Sequence, residues 1–450
     1  MIKFLHTADL HLGKIFHDQN LGEDQAVVLR ELSKILEDGS YAALVIAGDV
    51  YDRSIPSPEA IELFSSFLGE IKNRQPSLEV LIIPGNHDSA SRLGFGRELF
   101  ARLGIQFGVS AEACDKPVIV ERDGESCAFF LLPFLNPGVL SRDDPVNGQV
   151  PLRSQSALAE EAALRMESAR QALGQGVSSV LVAHLFASGC IEAGSERVFL
   201  GNAELVNIEP FKGFDYIALG HLHRCQSVGT SAVGKNAVGK NAVGIKAVSK
   251  NAWYCGSPLA YSFGEASSQR DGSQRDGQEK CFLSVELRKD GPEVEKIPVK
   301  PRRKVTSLSG PFSRFTGDFS TDKELIAAAD DYLEIRLTDK RITENAREIL
   351  RKRFPHLLSL RQDDALAELS SGARFPVSGE EMRGGRRDVS SDFRDFLLDL
   401  YGNPVRSEIS TDTSACISGE IAAELELFNT LLEEIESTDA QIDLSEEGSP

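Results

Sequence analysis

Five short apolar runs in the first half of the chain share one design. They are "IKFLHTADLH" (2–11), "ALVIAGDVYD" (43–52), "EVLIIPGNHD" (79–88), "SVLVAH" (179–184) and "DYIALGHLH" (215–223). Each is apolar throughout rather than alternating, as for a strand covered on both faces. Each ends in His, Asp or Asn. Helical patterns lie between them. "EDQAVVLRELSKILEDG" (23–39) spaces its apolar residues by three and four and stops at Gly39. "SPEAIELFSSFLGEIK" (57–72) offers Ser57 as N-cap and Pro58 at the first helical position. A further helix is expected from Ser154 to Leu173. Strands alternating with helices predict an α/β fold. In such folds ligands gather at the carboxyl ends of the strands.

The polar strand ends, taken in order, are Asp9 and His11, Asp49, Asn86 with His87 and Asp88, His184, and His221 with His223. Six of the eight histidines are thereby expected at the mouth of one sheet. Burying so many polar groups without partners costs several kcal/mol each, and metal ions are the economical remedy. The donors are carboxylates, an amide and imidazoles, and the seven cysteines contain no C-x-x-C pair. That set suits Mn²⁺, Fe²⁺ or Zn²⁺ rather than a thiolate-bound structural zinc. There are too many donors for one ion, and they divide between two. Asp49, central and without a histidine two residues away, is the best candidate for the bridging carboxylate.

The rest of the chain is read from texture. A repeat, "AVGKNAVGKNAVGIKAVSKNA", fills 232–252, and its lysines 235, 240, 246 and 250 form either a neutral surface expansion or a basic arm. From Lys280 the strands "CFLSVELRKDG" and "DYLEIRL" alternate like half-exposed strands and are followed by a helix at 343–354, which suggests a smaller α+β domain. "KPRRK" (300–304) is either a phosphate contact or a solvated run. Residues 362–390 read as a linker, and amphipathic helices follow at 392–402 and 419–436. The net charge is −19, but residues 407–450 hold twelve Asp and Glu and no Lys or Arg, so acidity says little about a nucleic-acid partner. The scattered cysteines point to reduced thiols in the cytoplasm. No apolar run reaches the length of a membrane span, and "MIKFLH" is too short for a signal peptide.

The order D-x-H, GD, GNHD, H, GHxH resembles the calcineurin-like metallophosphoesterase superfamily. Within it, "HTADLHLGK", "AGDVYDRSIPSPEA", "IPGNHDS", "GHLHRCQ" and "YCGSPLAYSFGE" are similar to the SbcD-type nucleases of bacteria. That resemblance implies a metallophosphoesterase β-sandwich flanked by helices, followed by a small α+β capping domain and a C-terminal helical segment. The implied division is 1–279 nuclease domain with an insertion at 230–252, 280–361 capping domain, 362–390 linker, 391–437 partner-binding helices and 438–450 tail. Asp9, His11, Asp49 and His223 would hold one cation, most plausibly Mn²⁺, and Asp49, Asn86, His184 and His221 the other. His87 would act on the phosphate and leaving group, and Asp88 would orient His87 by a hydrogen bond. The implied activity is double-strand exonuclease and single-strand endonuclease cleavage of DNA. The implied partners are an SbcC-type coiled-coil ATPase and a second copy of the chain, in a heterotetramer serving repair and recombination. Helices near 57–72 and 91–103 are the candidate dimer contact. Two alternatives stay open: another phosphoesterase of the superfamily (a phosphoprotein phosphatase or nucleotide phosphodiesterase), since "GDVYDR" echoes the phosphatase GDxxDR pattern, or a scaffold that binds without catalysis.

Overall fold

The computed structural model describes residues 1–362 apart from 39, 145–147, 175, 189, 191–204, 229–250, 271–272, 275–278, 319 and 340–344. The chain divides into two compact units, Met1–Ser370 and Ser371–Pro450, and the described residues lie in the first. The lysine-bearing repeat, the linker beyond Gln362, the helical segment 391–437 and the tail 438–450 lie outside the described residues.

Two six-stranded sheets form the larger body. The first runs Gly291–Pro298, Cys281–Arg288, Lys3–Thr7, Ala43–Ala47, Glu79–Ile83, Ile105–Phe107 across its width. The second runs Gln226–Ser227, Ala252–Tyr254, Tyr216–Gly220, Ser178–His184, Glu125–Leu132, Val118–Arg122. The central strands of each are parallel. This corrects the expectation of one sheet: the five apolar runs are shared between two facing sheets.

The unbroken hydrophobicity of the runs has a simple cause. In Ala43–Ala47, Leu44 and Ile46 pack on the helical layer, while Ala43, Val45 and Ala47 face the other sheet. In Ser178–His184, Leu181 and Ala183 turn outward, and Val180 and Val182 turn inward. Side chains alternate as strand geometry demands, but both destinations are apolar. Phe4 and Phe129 meet edge to face across the sandwich at 5.3 Å, which adds about 0.5–1.5 kcal/mol beyond burial.

Helices Gly22–Asp38 and Pro58–Arg74 cover the first sheet, and Gln155–Gln171 covers the second. The Ser57 hydroxyl accepts the Ala60 amide at 3.3 Å, and the Ser154 hydroxyl accepts the Ala157 amide at 3.2 Å. Each cap satisfies one N–H that the helix cannot.

The expected domain boundary at Lys280 is also corrected. Cys281–Arg288 pairs antiparallel with Lys3–Thr7, and Gly291–Pro298 pairs with Cys281–Arg288, so both strands complete the first sheet. The smaller body begins after them. Its sheet sets Val305–Gly310, Tyr332–Leu337 and Leu357–Gln362 parallel, with Ser267–Arg270 on the edge. Short helices Phe312–Thr316 and Ala346–Arg351 close a core of Leu308, Phe315, Leu333, Ile335 and Phe354. Tyr332–Leu337 is buried along most of its length rather than half-exposed. Its Glu334, which mimics a solvent-facing position, is buried and bridged by Arg336 and Arg361. Tyr332 joins the two bodies, its hydroxyl donating to Asp24 at 2.8 Å. The KPRRK run also turns inward in part: Arg302 pairs with Glu23 and Arg303 with Asp330.

Candidate metal centre

Each of the polar residues follows a strand of one sheet or the other, and the backbone there is strained. Asp9, His11, Asp49 and His221 all have positive φ, at 53°, 44°, 50° and 107°. Non-glycine residues adopt that region only where the surroundings over-determine it. Close approach explains two glycines. A Cβ on Gly48 would lie 2.2 Å from His184 Nδ1, and one on Gly85 would lie 2.1 Å from Asp49 Oδ1.

The side chains converge. His11 Nε2 and His223 Nε2 face each other at 3.1 Å. Asp49 Oδ2 lies 3.6 Å from His11 Nε2 and 3.6 Å from His184 Nε2. Asn86 Oδ1 lies 3.0 Å from His184 Nε2 and 3.1 Å from His221 Nδ1. The His221 amide donates to both Asp9 carboxylate oxygens, at 3.0 and 3.2 Å. Asp9, His11 and His223 form one cluster with donor atoms within 4.8 Å of one another, and Asp9, Asp49 and His184 form another.

The chemistry of the set fits divalent cations. Burial pushes the His11 imidazole down to about 4, against the opposing pull of Asp52 and Asp49, and pushes His221 down to about 3. His184 is lowered by the same burial. These rings are therefore neutral at pH 7 and offer lone pairs. His184 Nδ1 is satisfied by the Ala47 carbonyl at 2.9 Å, which leaves Nε2 as the donor atom. Burial works against ionising Asp49, yet the imidazoles of His184, His11 and His87 and the His87 amide hold its carboxyl well below the usual range. His221 Nε2 is buried without a hydrogen-bond partner among the described residues. Lone pairs pointed at lone pairs around a carboxylate are a poor arrangement for protein alone and a good one for cations.

His6 is the histidine that does not join them. It sits within strand Lys3–Thr7, where alternation sends its ring into the sandwich, 3.2 Å from the Tyr216 hydroxyl. Five histidines, not six, belong to the site.

The link from Asp88 to His87 is also corrected. The Asp88 carboxylate turns back to accept the amides of Val50, Tyr51 and Gly85, at 3.0, 2.9 and 3.0 Å. It pins the Asp49 loop to the Asn86 loop. Burial, and then the Asp49 charge, push the Asp88 carboxyl up to about 7 against those amides. His87 is oriented instead by the main-chain carbonyl of Asp52, 2.9 Å from its Nδ1. Its ring also stands edge to face on His11 at 4.8 Å.

Sequence reasoning left Asp52 unassigned. Its side chain takes Lys14 Nζ at 2.8 Å and lies 3.5 Å from His11 Nδ1. Burial opposes its ionisation, but those two partners bring the carboxyl down to about 2. The available signal was its place three residues after Asp49, within "GDVYD". Glu265 was likewise missed. Its Oε1 lies 3.4 Å from His223 Nδ1 and its Oε2 lies 2.5 Å from Lys280 Nζ.

Comparison with known proteins agrees with this geometry. Residues 2–225 match the family described as calcineurin-like phosphoesterase. The chain is 28% identical to the SbcD subunit of nuclease SbcCD from Staphylococcus epidermidis over 363 residues, which is 80% of this chain and 85% of that protein. It is 28% identical to the protein of the same name from Staphylococcus saprophyticus over 362 residues, 80% of this chain and 84% of the relative. Among solved structures, a dimetal phosphatase from Danio rerio aligns with a TM-score of 0.35 at 12% identity, over 66% of this chain and 99% of that one.

Proposed function

This chain belongs to the calcineurin-like phosphoesterase family, and on that premise we propose that it is a metal-dependent DNA nuclease that hydrolyses phosphodiester bonds with two divalent cations. The observation that carries the reading is Asp49 Oδ2, equidistant at 3.6 Å from an imidazole of each donor group. Asp9, His11, Asp49 and His223 hold the first cation, and Asp49, Asn86, His184 and His221 the second, with Mn²⁺ the preferred ion. The bound pair supplies Lewis-acid polarisation of the phosphoryl oxygens and a nucleophile at neutral pH.

The protein's own residues do the rest. The Asp52 carbonyl holds His87 Nδ1, so Nε2 is the nitrogen that protonates the departing sugar oxygen. Asp88 fixes the two loops that carry Asp49, Asn86 and His87. The relatives are named as one component of a nuclease complex, which supports an SbcC-type coiled-coil ATPase as partner, with cytoplasmic exonuclease and endonuclease action on DNA. Among the described residues no helix is long and apolar enough to cross a membrane.

Hydrolysis of p-nitrophenyl phosphate, bis(p-nitrophenyl) phosphate and single-stranded DNA, compared side by side with Mn²⁺, tests the assignment. The expected result is turnover of DNA and the diester with little of the monoester. Preference for the monoester would indicate a phosphatase, and DNA binding without turnover of any substrate would indicate a scaffold.

A second copy of the chain is the proposed dimer partner. Phe95 is 84% exposed and Leu99 is 68% exposed, beside Leu103 and Ile61 on neighbouring helical surface. Exposed apolar side chains grouped in this way mark an interaction surface. Phe95→Glu combined with Leu99→Glu is expected to convert a dimer into a monomer by light scattering, while the Mn²⁺ content per chain stays unchanged. A dimer that persists would remove this surface from the assembly.

A further inference from the structure

The segment "YCGSPLAYSFGE" and Lys280 touch none of the proposed substrate chemistry, yet they enclose one metal-facing ring. Glu265, only 3% exposed, sits between them. Its Oε1 lies 3.4 Å from His223 Nδ1 and also accepts the Tyr261 amide at 3.3 Å and the Ser262 hydroxyl at 3.1 Å. Its Oε2 receives Lys280 Nζ at 2.5 Å. Lys280 Nζ further donates to the His223 main-chain carbonyl at 2.9 Å and the Ser257 hydroxyl at 2.8 Å. The fit of backbone to backbone is tight: a Cβ on Gly256 would lie 2.7 Å from the His223 carbonyl oxygen. His223 is therefore gripped at its ring and at its main chain by one connected network.

We propose that Glu265, clamped by Lys280, is the positioning residue of the centre, accepting the Nδ1 proton of His223 and so turning its Nε2 lone pair toward the first cation. The inference rests on the two-cation reading above. A histidine ligand whose second nitrogen donates to a carboxylate is fixed in tautomer and ring angle and is a stronger donor. Lys280 keeps the buried carboxylate ionised and holds it in place. A purely structural ion pair would need only Lys280. The second oxygen, aimed at the imidazole, is what a structural role leaves unexplained.

Removing one partner would strand the other as a buried charge, so the test changes both. Mn²⁺ titration calorimetry is run on the metal-stripped full chain, on Glu265→Gln/Lys280→Met and on Glu265→Leu/Lys280→Met, with His223→Ala as the reference for loss of the first site. The leucine variant is expected to weaken one of two binding events by about 10- to 100-fold and leave the other unchanged. The glutamine variant, whose amide oxygen still accepts from Nδ1, is expected to recover most of that loss. Its Co²⁺ form should nevertheless show shifted visible absorption bands, which a merely structural pair would not move. Should the leucine variant fail to fold, the glutamine variant decides: bands and affinity identical to wild type would overturn the proposal. Failure of the two-cation reading shows elsewhere, in a wild-type chain that binds fewer than two Mn²⁺.

Discussion

His87→Ala is expected to keep both cations and lose about 10²- to 10⁴-fold in kcat, the usual worth of a positioned general acid. The structure explains why the two properties separate. The contact between His87 and Asp49 runs through the main-chain amide, 2.9 Å from Oδ1, and alanine retains that amide. Asp49 therefore keeps its place between His11 and His184. What alanine removes is the imidazole packed on His11 and bonded to the Asp52 carbonyl. That carbonyl belongs to a half-buried surround where water can replace a lost hydrogen bond, so the stability cost is about 0.5–1.5 kcal/mol. Because the ring acts on the leaving group, KM for a DNA substrate should change little. Elemental analysis and a Mn²⁺ nuclease assay read the two properties separately, and a near-normal rate in the variant would remove His87 from proton transfer.

Much of this arrangement is legible in the sequence alone. Apolar runs that end abruptly in Asp, His or Asn name the strand ends, and α/β layering says that such ends meet. The structure brings Asp9, His11, Asp49, Asn86, His184, His221 and His223 together within a few hydrogen-bond lengths. What sequence could not supply was pairing at long range. Nothing local in "CFLSVEL" distinguishes a strand beside Lys3–Thr7 from the first strand of a new domain. Nothing local in the five runs says that they divide between two sheets. The same limit applies to His6, which differs from His11 only in lying inside its strand rather than beyond it. Asp88 misled for another reason: a carboxylate next to an imidazole invites a side-chain pair, whereas its true partners are backbone amides, which carry no residue signature. Glu265 was hidden by distance, 42 residues beyond His223 and across the repeat.

Asp49→Ala is expected to reduce the metal content from two ions per chain to one or none and to abolish most cleavage. Without Asp49 the second donor group is Asn86, His184 and His221, all neutral, whereas the first keeps the Asp9 carboxylate. A divalent ion surrenders its water to charged oxygen more readily than to neutral ligands, so the second cation should leave first. Loss of Lewis-acid stabilisation worth several kcal/mol corresponds to a fall in rate of about 10³-fold or more, at about 1.4 kcal/mol per factor of ten. Stability should respond in two directions. In the metal-free chain, the Asp49 charge helps to push Asp88 up to about 7, so its removal relieves a repulsion and the metal-free variant should be no less stable than the metal-free parent. With Mn²⁺ at a hundred times its Kd, each intact site adds about 2.7 kcal/mol to folding, and the variant should forfeit that amount for every cation it fails to bind. Denaturant unfolding with and without Mn²⁺, beside elemental analysis, measures both effects. Two ions retained at parental affinity would show that Asp49 is not shared between the sites, and the two-cation centre would have to be rebuilt around Asp9.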